Sequence, residues 1–145
     1  MLMTEHVWSW SFEDKIPSDT TAGKRVVDEL LSQLTRHRWP EHDVFGIHLA
    51  VEEALVNAIK HGNHDDPSKL VDICIRLSPE RMWIRVKDEG KGFNPFDVPD
   101  PTEDENLELP SGRGLMLMRS FMNEVEYNAL GNSVTMAKER SEAAL

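Results

Sequence analysis

Near the start of the chain Trp8, Trp10 and Phe12 alternate with Val7, Ser9 and Ser11. A period of two with one aromatic face predicts a first strand. Pro17-Ser18-Asp19 then supplies a break and a capping side chain, and Val26, Val27, Leu30, Leu31 and Leu34 recur at helical spacing. These predict a first helix over about 19–36. Trp39-Pro40-Glu41 interrupts the chain before a second apolar stripe, Val44, Ile47, Val51, Ala54, Leu55 and Ala58, which predicts a helix running to Gly62.

Alternation returns in Val71, Ile73, Ile75 and Leu77, and again in Met82, Ile84 and Val86 after Ser78-Pro79-Glu80. Two half-buried strands joined by a short turn follow. Residues 95–110 hold four of the eight prolines, six acids and no lysine or arginine, a composition that suits a long loop. Leu115, Met118, Phe121 and Met122 predict a third helix. Val125 to Leu130, a Gly131-Asn132 turn and Val134 to Ala137 predict a closing hairpin. The order of elements fits an α/β, more closely α+β, two-layer sandwich. It has three helices on one face of a mostly antiparallel mixed sheet.

A chain of 145 residues suits one domain spanning 1–145, and 39% hydrophobic with 29% charged residues suits a globular protein. The net charge of −10 argues against general attraction to phosphate backbones or anionic lipids, so neither direct nucleic-acid binding nor membrane binding is expected. Cys74 is the single cysteine and reads as a small buried residue. The first residues carry no basic region followed by an apolar stretch, and no long apolar run occurs; the expected location is cytoplasmic.

Candidate chemistry sits on the second helix and on two glycine-rich elements. Glu53, Asn57 and His61 stand at i, i+4 and i+8, a polar stripe beside the buried face. Counting by twos from Met82, Ile84 and Val86 places Asp88 on the core side at a strand end. An unpaired carboxylate is costly to bury there. Gly90-Lys91-Gly92 follows it, and Gly112-Arg113-Gly114 opens the third helix. Paired glycines permit close backbone approach to a ligand, and a helix start presents free amides suited to phosphate.

Glu53-x-x-x-Asn57, Asp88-x-Gly90-x-Gly92 and Gly112-x-Gly114-Leu115 resemble the three nucleotide boxes of the Bergerat-fold, histidine-kinase-like ATPases. Within them, the run from Ala50 to Gly62 and Ser111-Gly112-Arg113-Gly114-Leu115 most resemble the anti-sigma-factor serine/threonine kinases of bacterial partner-switching systems. The resemblance covers roughly residues 7–140. It implies ATP or ADP as the nucleotide and Mg²⁺ as the metal, with residues of about 94–111 as an ATP lid. It implies Glu53 as general base, Asn57 as Mg²⁺ ligand and Asp88 as acceptor for the adenine amine, where guanine offers an oxygen instead. Gly90 and Gly92 would shape the adenine loop, Gly112, Arg113 and Gly114 would lie along the phosphates, and His61 matches the pattern beside them.

The same resemblance implies two protein partners, a sigma factor and an anti-anti-sigma protein of the STAS type that receives the phosphate on a serine or threonine. A homodimer is compatible with it, with the aromatic first strand as one means of pairing. Two alternatives differ in class. One is a non-catalytic, nucleotide-dependent protein-binding switch, separable by phosphate transfer. The other is a histidine-kinase catalytic domain, disfavoured because the short stretch before the Glu53 helix reads as a strand and helix of this domain. Asp97, Asp100, Glu103, Asp104, Glu105 and Glu108 place much of the negative charge in the lid-like loop. A local pocket can therefore bind triphosphate despite the global charge.

Overall fold

The computed structural model describes residues 7–92 and 112–141. The expected lid segment and the acidic cluster at 97–108 lie outside the described residues. Strand β1 (Trp10–Pro17) leads into α1 (Thr20–Arg36) and α2 (Glu41–Val56), which passes directly into a π-helical turn, Asn57–Gly62. Strands β2 (Leu70–Leu77) and β3 (Arg81–Lys87) follow, then α3 (Gly112–Phe121), β4 (Glu124–Tyr127) and β5 (Ser133–Glu139). The sheet order is β1-β2-β3-β5-β4, and every pairing in it is antiparallel.

Period-two patterning decides which face the helices cover. In register, Ile75 lies opposite Ile84 and Ile84 opposite Met136. Val71, Ile73, Ile75, Leu77, Met82, Ile84, Val86, Val134 and Met136 are all buried in one cluster with the apolar stripes of the helices. The opposite face carries half-buried Arg76, Trp83 and Arg85, with Cys74 buried among them. Trp10 and Phe12, whose rings lie 6.5 Å apart, pack partly buried against the helix-side core.

Helix α1 begins where Asp19 accepts a 2.7 Å hydrogen bond from the Thr21 amide, a side-chain cap for one of the free amides of the first turn. Val26, Val27, Leu30 and Leu34 form its buried stripe. Buried Asp43 in the first turn of α2 accepts from the Ser141 amide at 2.8 Å and its hydroxyl at 2.6 Å. Lys138 Nζ stands 3.8 Å from the same carboxylate, so the end of β5 is pinned to the start of α2.

Two expectations change. The second helix does not continue as an α-helix to Gly62: from Asn57 the chain widens, and the Asn63 amide bonds the Ala58 carbonyl five residues back at 2.9 Å. The closing hairpin is not a two-residue Gly131-Asn132 turn after a strand reaching Leu130. Strand β4 ends at Tyr127, because Asn128 Oδ1 accepts from the amides of Gly131, Asn132 and Ser133 at 2.8, 3.0 and 3.1 Å. That side chain organises a wider loop than the glycine alone requires.

Candidate functional site

The π-helical turn matters because it redirects the polar stripe. Asn57, expected on a flank, is buried at 7% exposure. Neither its Oδ1 nor its Nδ2 makes a hydrogen bond of good geometry among the described residues, and the Tyr127 hydroxyl is its polar neighbour. A buried amide left in this state costs on the order of 1–3 kcal/mol. Such turns are frequent at functional sites, and the cost here attaches to a residue that faces an opening.

That opening is a cavity of about 280 Å³. One wall is Asn57, Ala58, His61 and Gly62; the opposite wall is Asp88 to Gly92; Tyr127 and Gly131 to Val134 close the side. Lys69 also lines it. The Tyr127 phenol is pushed up to about 12, by burial first, while the neighbouring Asn57 amide favours its ionised form.

Asp88 is half-buried at the end of β3, on the core side as its spacing predicts. Its pKa rises from 3.8 to about 6, mainly because burial disfavours the charge; the Gly90 amide and the Lys69 ammonium oppose that rise. The donor that the sequence demanded is that Gly90 amide, 2.7 Å from Oδ1. Oδ2 takes no hydrogen bond from the described residues and rests against Gly62, where a β-carbon would overlap the carboxylate. The backbone is held by its own amide to the Asn132 carbonyl at 2.9 Å.

Three glycines in this region are required by other protein groups. A β-carbon on Gly90 would strike the Gly62 carbonyl, so close approach of two protein segments, and not of a ligand, demands that glycine. Gly92 has φ +82 and lies on the Leu130 carbonyl, which excludes a side chain on both counts. On α3, a β-carbon on Gly114 would overlap the Glu53 carboxylate. Glu53 thus stands one turn before Asn57 and packs against the first turns of α3. Burial raises its pKa above 4.5, His61 lowers it and Glu52 raises it. Glu52 itself is exposed and lies 3.5 Å from His48.

The structure therefore brings Asn57, His61, Asp88, Gly90 and Gly92 around one cavity and sets Glu53 with Gly114 beside it. Gly112 and Arg113 form the first turn of α3, and the Arg113 side chain lies outside the described part. Lys69 and Tyr127 also line the cavity, and neither was singled out by its position in the sequence. No group of three or more potential metal-ligating His, Cys, Asp or Glu side chains occurs among the described residues. No helix there is long and apolar enough to cross a membrane.

The family model described as Histidine kinase-like ATPase domain matches residues 16–138. The chain belongs to that family. A domain of this family implies nucleotide binding. Among curated relatives, the anti-sigma F factor of Oceanobacillus iheyensis is 34% identical over 102 residues, 67% of this chain and 70% of that protein. The serine/threonine-protein kinase BtrW of Bordetella bronchiseptica is 28% identical over 94 residues, 63% of this chain and 66% of that protein. Among solved structures, the RsbU and RsbW domains of a Mycobacterium tuberculosis protein superpose with a TM-score of 0.61 at 16% identity, covering 91% of this chain and 32% of that one. The likeness is one of fold, the histidine kinase-like ATPase sandwich with its helices on one side of the sheet.

Proposed function

We propose that this chain is an ATP-dependent protein serine/threonine kinase that acts as an anti-sigma regulator. It binds a sigma factor and phosphorylates a small STAS-type anti-anti-sigma antagonist. The observation that carries the reading is the buried Asn57 amide, whose Oδ1 makes no hydrogen bond among the described residues, in a cavity whose opposite wall presents the Asp88 carboxylate with Oδ1 on the Gly90 amide. These are the two ends that a nucleotide has to fill: an acceptor for an exocyclic amine and an oxygen donor for a hard cation among phosphates. The names of the relatives, anti-sigma F factor and serine/threonine-protein kinase, support the partner class and the reaction.

The residues fit the groups that the family implies. Asp88 Oδ2 accepts the adenine amine while Oδ1 stays with Gly90. Asn57 offers Oδ1 to Mg²⁺, which supplies neutralisation of phosphate charge when bound. Gly112, Arg113 and Gly114 open a helix whose free amides favour phosphate. Glu53 takes the proton of the incoming serine or threonine hydroxyl while that oxygen bonds to the γ-phosphorus and ADP leaves with the electrons of the broken P–O bond. Burial raises its proton affinity above that of an ordinary carboxylate, the direction that strengthens a general base. His61 offsets part of that rise. Pairing of two copies through the open edge of β1 belongs to the same reading.

The test is transfer of labelled γ-phosphate, with Mg²⁺, to a candidate antagonist, followed by identification of the labelled amino acid. Phosphoserine or phosphothreonine is expected. Tight ATP binding with no transfer to any antagonist would leave the non-catalytic switch in its place.

A further inference from the structure

Asn63 lies just beyond the π-helical turn, is fully buried, and its side chain bonds three other segments. Its Oδ1 accepts the Glu89 amide at 2.8 Å. Its Nδ2 donates to Ser18 Oγ at 2.9 Å and to the Leu70 carbonyl at 3.1 Å. Ser18 Oγ donates to the Lys69 carbonyl at 2.7 Å, and the Leu70 amide donates to the Glu89 carboxylate. Three of the four hydrogen bonds open to an asparagine amide are thus made inside the protein, in a closed ring that includes both walls of the cavity.

The Glu89 amide belongs to the peptide that joins Glu89 to Asp88. The carbonyl end of that peptide, Asp88 O, accepts from Asn132 Nδ2 at 3.3 Å. One peptide plane is therefore held from both sides, by Asn132 on the β4–β5 loop and by Asn63 on the helix side. Displacement of that peptide shifts the Asp88 Cα to which it is bonded, and the side chain shifts with the Cα. A shift of a few tenths of an ångström at the carboxylate degrades a short, directional hydrogen bond.

We infer that Asn63 is a positioning residue for base recognition: it fixes the Asp88–Glu89 peptide against the helix that carries Asn57, and so sets where Oδ2 of Asp88 meets the adenine amine. The inference rests on the nucleotide reading above and adds to it the residue that determines base selectivity without touching the base. Lys69, held through its carbonyl by Ser18, keeps its ammonium near Asp88 by the same ring.

ATP and GTP share ribose and triphosphate and differ at the base edge, so their affinity ratio reads this geometry, whereas general loosening of the site weakens both. Equilibrium binding of Mg-ATP and Mg-GTP is to be compared for the full chain, Asn63→Ala and Ser18→Ala, each checked for a cooperative unfolding transition. Asn63→Ala is expected to lose about tenfold in ATP affinity, the equivalent of one misplaced hydrogen bond, with GTP affinity within about twofold. Ser18→Ala removes only one leg of the ring and is expected to lose about threefold for ATP alone; it decides the matter if Asn63→Ala does not fold. Proportional losses for both nucleotides, or unchanged ATP affinity in folded variants, overturn the inference while leaving the nucleotide reading standing. A wild-type protein that binds neither nucleotide, or binds both equally, overturns the reading of the base site and this inference with it.

Discussion

Replacing Asp88 by asparagine separates what this residue does for folding from what it does for binding. Its pKa rises from 3.8 to about 6 in the folded protein. The ionised form therefore opposes folding. The penalty is absent below the unfolded value of 3.8, grows as pH rises through about 6, and is complete above it. At about 1.4 kcal/mol for each tenfold in proton affinity the full cost is about 3 kcal/mol; the carboxylate is only half-buried, and solvent screening reduces this to about 1–1.5 kcal/mol. The oxygen of the substituted side chain still accepts from the Gly90 amide, so Asp88→Asn is expected to be more stable than wild type by about 1–1.5 kcal/mol at about pH 7.5 and equal to it at about pH 4. The new amide nitrogen then stands where Oδ2 stood and faces the adenine amine donor to donor. Loss of a charge-assisted hydrogen bond worth about 1.5–3 kcal/mol lowers ATP affinity by about tenfold to a hundredfold. The same amide nitrogen donates to the guanine oxygen, so GTP is disfavoured less than in the wild type. Urea unfolding at the two pH values and equilibrium binding of both nucleotides provide the measurement. A variant less stable than wild type at about pH 7.5, a stability difference independent of pH, or retained ATP preference would refute the reasoning.

Asn57→Ala removes a buried amide that makes no hydrogen bond of good geometry among the described residues, so the nucleotide-free protein is expected to keep its stability or gain up to about 1 kcal/mol. The thermal shift produced by Mg-ATP in wild type disappears. Gly92→Ala places a side chain at φ +82 on the Leu130 carbonyl and is expected to cost about 2–4 kcal/mol, read from urea unfolding. ATP affinity of the wild-type protein falls as pH drops through about 6, where Asp88 takes up a proton, and titrations across that range check it.

The strands and α1 were legible because their cause is local. Asp19 caps α1 and its stripe is buried at the expected positions, and alternation alone predicted the inner faces of β2 and β3. Asp88 was legible for a related reason, since strand parity carries a carboxylate to the core side. The π-helical turn was not, because an apolar stripe through Ala58 fits the α period equally well. The wider turn is tied to Asn63, whose side-chain partners Ser18 and Glu89 lie far away in sequence. Gly90 looked like a glycine that admits a ligand, and only the folded chain reveals the Gly62 carbonyl in that space. In the closing hairpin the Gly131-Asn132 signal was real, but the Asn128 side chain competes for the same amides and sets the loop.

The central claim is that Glu53 serves chemistry while Asp88 and Asn57 serve binding. Single-turnover transfer from Mg-ATP to the antagonist, measured beside ATP affinity for wild type and Glu53→Gln, tests it most directly. Loss of a general base lowers transfer by about 10²–10⁴-fold, and the account predicts that loss with ATP affinity changed less than about threefold. It also predicts that wild-type transfer rises with pH through a pKa above 4.5, the direction in which burial moves Glu53. Equal transfer by wild type and Glu53→Gln at saturating ATP would contradict the account.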